Sequence, residues 1–376
     1  MKQSKLKFAL FILYVLFLLL SWFKPEYSLW QYRGLGLDFY AFACFLFFML
    51  LFIKGEFPMH FSFVAFAIIL RLLAFTAHPF TSDIFRYISD GKLWLLGENP
   101  YVRSALPISG IEYMKVGTIY PPFSEFLFTV VSLFTESVYG FKLLAGIFES
   151  LLLWFAYRFY KVGLISKFQF FFFLFCPALI METWREGHIE IVSVFFFLLA
   201  YKKLEEKQQN QSFVYLLLSG LTKLHGFALF PIWLKKFAQE KKTWFLGVIM
   251  IGILAWLYYF YVLPVRTHNE YFRYWTFAQP FYGLFRVFGI SHVSSIKILQ
   301  LCLLTTWIIL GILWLKRKWD DTTIIRNGLF AFLAFFPVLH PWYLFIFLWN
   351  VLFDKKTERF AMGLITLWGV TYLYYR

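Results

Sequence analysis

Apolar runs alternate along this chain with short polar and basic stretches. Many of the runs approach the roughly 20 helical residues that are needed to cross a lipid bilayer. The pattern predicts an all-α, polytopic membrane bundle of about 13 spans that forms a single domain, residues 1–376. The predicted spans are 6–23, 37–53, 59–77, 139–158, 167–182, 188–201, 213–222, 225–235, 243–263, 295–315, 325–339, 341–353 and 360–375.

One long stretch, residues 82–123, breaks this pattern because acidic, basic, Asn, Gly and Pro residues gather there. Hydrocarbon cannot solvate such groups, so a polar insert beside membrane segments marks a place where chemistry is expected. We expect residues 78–138 to form an extracytoplasmic catalytic loop that includes a juxtamembrane helix.

The net charge of +15 comes from Lys and Arg residues in the short connections between apolar runs. These residues form no basic stripe and match no RNA-binding motif, so no nucleic-acid partner is expected. Because positively charged loops stay in the cytoplasm, their distribution places the N-terminus inside and residues 82–123 outside.

The first apolar run has a basic start, but it is longer than a signal-peptide core and lacks a small-residue cleavage site. We interpret it as a retained span and assign residues 1–58 to two extra N-terminal spans. Cys44, Cys176 and Cys302 lie singly in apolar runs. This excludes a disulfide framework and a C-x-x-C site, and it favours buried packing.

Two segments allow more than one interpretation. Residues 121–135 are apolar but short, and counting them as a span would invert every later loop. We therefore predict a helix in the outer leaflet that begins at Pro121 and Pro122, with a true short span as the alternative. Residues 213–222 and 225–235 form either a hairpin of half-length helices, which the charge distribution favours, or one long span.

The first part of the polar insert is predicted to be helical. In a helix, Asp83, Arg86, Tyr87 and Asp90 stand at i, i+3, i+4 and i+7 and project from one face. The helix dipole favours an ionised Asp83 near the N-terminus, where a carboxylate can act as a general base or hold a cation. An Asp-Arg ion pair that merely solvates a loop is the alternative.

The motifs of this region carry a family resemblance. SDIFRYISDGKLWLLGENPY, followed by IYPPF, resembles the first extracytoplasmic loop of the GT-C superfamily. These are integral-membrane glycosyltransferases that use polyprenyl-phosphate sugars, and the likeness is to their bacterial mannosyltransferase-like branch. The later segments 176–190, 219–231 and 340–344 resemble the same branch.

The resemblance implies roles for individual residues. Asp83 would be the catalytic base that takes the proton from an acceptor hydroxyl, and the anomeric configuration would invert. The resemblance implies no cofactor, and since no Asp-x-Asp stands near Asp83, a divalent metal is not indicated. Residues expected to bind the donor phosphate or the substrates are Arg86, Tyr87, Asp90, Arg185, His188, Glu190, Lys223, Arg266, Arg273 and His340.

Several of these positions have a second interpretation. Lys223 either binds a phosphate or extends its ammonium to the membrane interface. Arg71, within an apolar run, either pairs with an intramembrane acid or bonds to the backbone. The acids and histidine of segment 182–190 either line a sugar pocket or chelate a metal. The basic, aromatic segment 266–293 either covers the lipid-phosphate pocket or rests on headgroups as an amphipathic helix.

These expectations together describe a membrane glycosyltransferase. It would move a hexose, with mannose expected, from a polyprenyl-phosphate donor to a lipid or glycan acceptor. It would lie in a bacterial inner membrane with its active site facing the periplasm or exterior. The rival interpretations are a lipid-linked-sugar flippase or transporter without catalysis, and another lipid-substrate transferase such as an acyltransferase.

Overall fold

The computed structural model of this protein describes residues 2–22, 29–53, 61–107, 117–227, 233, 244–257, 273–316 and 318–375. Within these ranges all regular secondary structure is helical, and extended backbone pairs only in an isolated bridge between Phe277 and Val338. The all-α prediction is therefore confirmed.

The α-helices of the described residues are numbered in chain order. The first eight are α1 (Lys2–Leu20), α2 (Leu29–Phe52), α3 (Phe61–Thr76), α4 (Asp83–Leu95), α5 (Pro122–Ser132), α6 (Val138–Lys161), α7 (Lys167–Phe175) and α8 (Pro177–Ile180). The others are α9 (Glu190–Glu205), α10 (Gln209–Thr222), α11 (Trp244–Leu257), α12 (Pro280–Val287), α13 (His292–Leu315), α14 (Asp321–Phe335), α15 (Leu348–Phe353) and α16 (Glu358–Trp368). A π-helical turn covers Met181–Arg185, and 3₁₀ turns cover Leu224–Phe227, Pro341–Phe347 and Gly369–Tyr375.

By length and composition, three helices of the described ranges can cross a membrane: Gly34–Phe52 within α2, α6 and α13. They indicate membrane association. Shorter apolar helices are Phe61–Thr76, Pro122–Ser132 and Pro341–Phe353. The larger number of about 13 spans stays a prediction.

Two of the predicted local features are present. The helix expected within 121–135 is α5, whose first residue is Pro122 and whose N-cap is Pro121. Its 11 residues are too few to cross a bilayer as an upright helix. The chain also turns back directly after α10. The close approach of Gly226 to that helix shows this, since a Cβ on Gly226 would lie 2.3 Å from Ser219 Oγ. This turn fits the predicted hairpin, whose second arm falls largely outside the described residues.

The run predicted as one span over 167–182 is divided. Helix α7 starts with a capping box formed by Ser166 and Gln169. It ends before Pro177, since proline has no backbone N–H to continue the helical ladder. The π-helical turn Met181–Arg185 follows. Such turns widen the helix, re-aim its side chains and recur at functional sites.

The chain divides into two compact units. The first consists of Met1–Ile84, Ser137–Ile191 and His340–Arg376, and the second of Phe85–Glu136 and Val192–Leu339. In the first unit, α1 packs along α2 and α16 packs against α2. In the second unit, α13 and α14 form an antiparallel pair joined by a short connection, and α5 packs against α10.

Candidate functional site

A polar cluster lies in the first unit, around the π-helical turn and the residues that follow it. Gly187 directs the chain there with a φ of +72°, a left-handed conformation that glycine adopts without strain. A Cβ at this position would lie 2.8 Å from Ile84 Cδ1, so a side chain there would require Ile84 to shift. Glycine therefore brings His188 back toward the residues that precede it.

His188 is completely buried and is held from several directions. Its Nδ1 lies 2.8 Å from Glu182 Oε2, and the same oxygen accepts a 2.7 Å hydrogen bond from the Tyr372 hydroxyl. The imidazole ring stacks on the Trp342 indole, with centroids 3.8 Å apart. These contacts fix both the position and the rotation of the ring.

Asp83 meets this histidine. It is the acidic residue in the first turn of α4, as predicted, and its Oδ2 lies 3.6 Å from His188 Nε2. The Asp83 side chain is 33% exposed, whereas the His188 side chain is fully buried. The cluster therefore presents one accessible carboxylate, backed by a buried imidazole.

Glu186 has a different role from Asp83. Its carboxylate accepts hydrogen bonds from the backbone N–H groups of Phe80 and Thr81, at 2.9 and 2.8 Å. It also accepts a 2.8 Å bond from the Thr81 hydroxyl. Because three donors already use its oxygens, Glu186 fixes the segment that leads into α4 and thereby the position of Asp83.

The hydrogen bonds around His188 restrict which of its ring nitrogens can carry a proton. The single hydroxyl proton of Thr81 is donated to Glu186, so the 3.3 Å contact of Thr81 Oγ1 with His188 Nε2 is a hydrogen bond only if Nε2 carries a proton. Nδ1 then either donates to an ionised Glu182 or accepts from a protonated one. If the bond to Thr81 forms, a protonated Nε2 faces the Asp83 carboxylate in both of these states.

Arg185 is fully buried and bonds to the backbone. Its Nε donates to the His78 carbonyl at 2.7 Å and its Nη1 to the Ser21 carbonyl at 2.9 Å. The guanidinium also stacks on the Phe80 ring, 3.3 Å from the centroid. Arg185 thus connects three segments of the first unit, in addition to any role toward a phosphate.

Of the other predicted residues, Glu190 and His340 lie in the first unit and Arg273 lies in the second. Glu190 is buried at the first residue of α9. The His340 ring stacks on Trp342 with centroids 4.5 Å apart, so the indole lies between two imidazoles. Arg273 is exposed, with its guanidinium 5.3 Å from the Tyr274 ring centroid, and Arg266 lies outside the described residues.

A second polar cluster lies in the second unit. Arg86 Nε donates to Asp90 Oδ1 at 2.8 Å, which confirms that these residues share one helix face. Burial raises the pKa of Asp90 to about 6, although the Arg86 guanidinium opposes the shift. Glu125 is buried as well and accepts bonds from Trp94 Nε1 at 3.1 Å and the Thr118 hydroxyl at 2.8 Å. This cluster therefore contains two acids that interact electrostatically, Asp90 and Glu125, with the Arg86 guanidinium nearby.

Aromatic rings surround the other predicted residues of this unit. Tyr87 stacks on Phe128 with centroids 4.4 Å apart and meets Tyr120 edge to face at 5.0 Å. Lys223 is 9% exposed, and its Nζ lies 4.4 Å from the Tyr120 ring centroid. The ammonium thus has a cation–π partner, which lowers the free-energy cost of its burial.

Sequence reasoning missed several members of the first cluster. Tyr372 lies in a C-terminal apolar run, and Thr81 lies just before the predicted helix, so neither showed a signal of its own. Trp342, at the start of the predicted span 341–353, is buried and stacks on both His188 and His340. In the described part of the chain, no group of three or more His, Cys, Asp and Glu side chains is arranged to hold a metal ion.

No protein-family model matches this chain, and comparison with curated proteins and with solved structures finds no significant similarity.

Proposed function

We propose that the protein is a GT-C-like membrane glycosyltransferase that moves a hexose, with mannose expected, from a polyprenyl phosphate to an acceptor hydroxyl. The observation that carries the proposal is the pair formed by Asp83, which is 33% exposed, and the fully buried His188, 3.6 Å away. A carboxylate at a helix start, reachable from outside and held by a fixed partner, is suited to accept a proton. The order of the sequence motifs around it supports the same reaction.

In the proposed reaction the acceptor oxygen attacks the anomeric carbon of the donor from the side opposite the phosphate. The new C–O bond forms as the bond between the anomeric carbon and the phosphate oxygen breaks, so the configuration inverts. The acceptor proton goes to Asp83, and the electron pair of the broken bond leaves on the lipid phosphate. A phosphate is a weak base, so it requires cationic stabilisation and no general acid.

Two residues of the first unit, His188 and Glu186, support this chemistry by position, and two of the second unit are proposed for it by their side-chain chemistry alone. His188 Nε2 lies 3.6 Å from Asp83 Oδ2, where a proton on Nε2 would stabilise the ionised carboxylate. Glu186 holds Thr81 and Phe80 through three hydrogen bonds, so the first turn of α4 has a fixed backbone. Arginine fits phosphate through its fork of donors, and Arg86 is proposed for the leaving phosphate, with Lys223 as a point charge.

The proposed setting is a bacterial inner membrane with the site facing the periplasm or exterior. The partners would be the polyprenyl-phosphate sugar and a lipid or glycan acceptor. The segment around Arg266 is proposed to contribute to acceptor or donor binding. No metal is assigned to the reaction.

The test uses purified full-length protein in liposomes with radiolabelled polyprenyl-phosphate mannose and a lipid extract as acceptor. Asp83→Asn is expected to lower transfer by about 10²- to 10⁴-fold, the usual effect of removing a general base. Glu136→Gln is the matched control, because Glu136 is an exposed acid that pairs with Lys92 at the surface. Unfolding temperatures of both variants report whether the fold is kept.

Two outcomes contradict the proposal. Sugar transfer at the wild-type rate by a folded Asp83→Asn variant would show that Asp83 is not the base. Movement of the lipid-linked sugar across the bilayer without any transfer would favour the flippase.

A further inference from the structure

A separate cavity lies in the first unit, outside the cluster of Asp83 and His188. Its volume is about 270 Å³, and it lies where α1 and α3 end and α6 begins. Its lining includes Trp22, Tyr139 and Lys142. The cavity is large enough for a small polar headgroup and combines aromatic with cationic surface.

The cation of this cavity is Lys142, whose side chain is completely buried. Its Nζ donates to the backbone carbonyls of Phe75 and Ala77. Among the described residues it forms no ion pair with a carboxylate. An ammonium has three protons, so one donor is left for a ligand. The nearby Glu186 carboxylate offsets part of the positive charge without forming an ion pair with it.

Trp22 supplies a second donor. Its indole Nε1 is buried, and no acceptor for it is found among the residues that the structure describes. Buried N–H groups are nearly always hydrogen-bonded, so an unmatched one at a cavity wall indicates a missing acceptor. An acceptor of negative charge would satisfy Trp22 and Lys142 together.

The surface beside the cavity is apolar. Leu72 and Leu73, one turn before the end of α3, are 55% and 45% exposed, and Leu143 on α6 is 50% exposed. Tyr139, at the rim, is 47% exposed and has a ring suited to the region between water and hydrocarbon. A ligand with an anionic head and hydrocarbon tails matches both parts of this surface.

We propose that this cavity binds the phosphate group of a diacyl membrane lipid, through the Lys142 ammonium and the Trp22 N–H, with the acyl chains along the exposed leucines. A phosphate accepts several hydrogen bonds at once and neutralises the buried ammonium. The site is independent of the proposed sugar transfer, since it uses none of the residues assigned to that reaction.

The test titrates detergent-purified full-length protein with phosphatidylglycerol and reads bound lipid by native mass spectrometry. Lys142→Gln and Trp22→Phe are each expected to weaken binding about tenfold or more, the factor that one charge-assisted hydrogen bond supplies. Lys161→Gln is the matched control, because Lys161 is an exposed lysine at the other end of the same helix. Trp22→Phe removes the N–H donor and keeps an aromatic ring at the cavity wall, so it keeps the test valid if Lys142→Gln does not fold.

Three further ligands test which part of the lipid the cavity recognises. Dioleoylglycerol, which lacks the phosphate, is expected to bind weakly and without dependence on Lys142. Equal binding of dioleoylglycerol, or equal losses in Lys142→Gln and Lys161→Gln, would overturn the proposal. Displacement of the lipid by an equal concentration of inorganic phosphate, or a preference for farnesyl phosphate, would overturn the assignment to a diacyl lipid.

Discussion

Arg71 and Glu149 form a fully buried, two-point ion pair between α3 and α6, with Nη2 to Oε1 at 2.6 Å and Nε to Oε2 at 3.0 Å. The guanidinium also donates to the carbonyls of Ala67, Phe173 and Leu174. Both roles that the sequence allowed for Arg71 are therefore present at once. Glu149 in turn accepts a 3.0 Å bond from Trp184 Nε1 and so fixes the π-helical turn that carries Glu182.

Loss of one partner of this pair is expected to be costly. Glu149→Gln leaves the Arg71 charge buried without its counter-ion, which destabilises a protein by about 3–5 kcal/mol. The free energy of unfolding in detergent, from a denaturant titration, measures the effect. Glu206→Gln is the control, because Glu206 forms ion pairs at the surface with Lys202 and Lys203 and should cost less than about 1 kcal/mol. A similar small cost for both variants would contradict this prediction.

Gly187→Ala is expected to destabilise the protein and to impair the site. Alanine there must adopt a positive φ and must also push Ile84 away from a 2.8 Å contact. Gly163 separates these effects, because its φ is +74° but no atom lies within 4 Å of a Cβ. Gly163→Ala should cost only the conformational strain, about 1 kcal/mol, and Gly187→Ala about 1–3 kcal/mol more, since added atoms overpack the interior. Equal unfolding midpoints for the two variants would show that the clash is relieved without cost.

Stability is expected to depend on the protonation of Asp90. Its pKa in the folded protein is about 6, raised by burial from a usual value of 3.8. Between about pH 4 and pH 6 the folded state therefore holds a proton that the unfolded state has already lost. The contribution of this protonated carboxyl to the free energy of unfolding is full below about pH 4 and is lost as the pH rises through about 6. The loss amounts to roughly 3 kcal/mol at most. Unfolding midpoints measured between these pH values should fall in the wild type.

The variant Asp90→Asn tests the cause of that pH dependence. Asparagine keeps the shape of the side chain but cannot titrate, so the fall between about pH 4 and pH 7 should become smaller. Glu125, which is buried near Asp90, interacts with it electrostatically and is left unchanged in this variant. An unchanged pH profile in Asp90→Asn would assign the dependence to other groups.

Tyr372→Phe and Glu182→Gln are expected to act on the proposed reaction through His188. Both remove hydrogen-bonding capacity from the group that holds the imidazole, since Glu182 Oε2 contacts His188 Nδ1 and accepts from the Tyr372 hydroxyl. Glu182→Gln should lower kcat about tenfold or more and shift the pH–rate profile, because the ring loses its fixed orientation. Tyr372→Phe should have the same direction and a smaller size. A change in KM alone would show that these residues only shape the pocket.

Parts of the site were predictable because they depend on spacing within one helix. The i, i+4 relation of Arg86 and Asp90 follows from helical geometry, and the structure pairs them at 2.8 Å. The start of α5 at Pro122 follows from the fixed φ of proline and its missing N–H. The position of Asp83 in the first turn of α4 has the same local origin.

Contacts between distant segments were not predictable. Tyr372 and Glu182 are 190 positions apart, and Arg71 and Glu149 are 78 positions apart. No local periodicity links such residues, since only packing of the helices brings them together. For the same reason the sequence offered two roles for Arg71 and could not show that Arg185 bonds to the Ser21 and His78 carbonyls.

The sequence by itself determined the helical class, the apolar character of the long segments and the polar insert with Asp83 at a helix start. These properties depend on composition and on neighbours within a few residues, which local physics fixes. The tertiary structure alone decided that His188 stands behind Asp83, that Glu182 and Tyr372 hold His188, and that Lys142 and Trp22 line one cavity. Such positions arise only when buried polar groups of separate segments must satisfy one another, because no water is available inside the fold to do so.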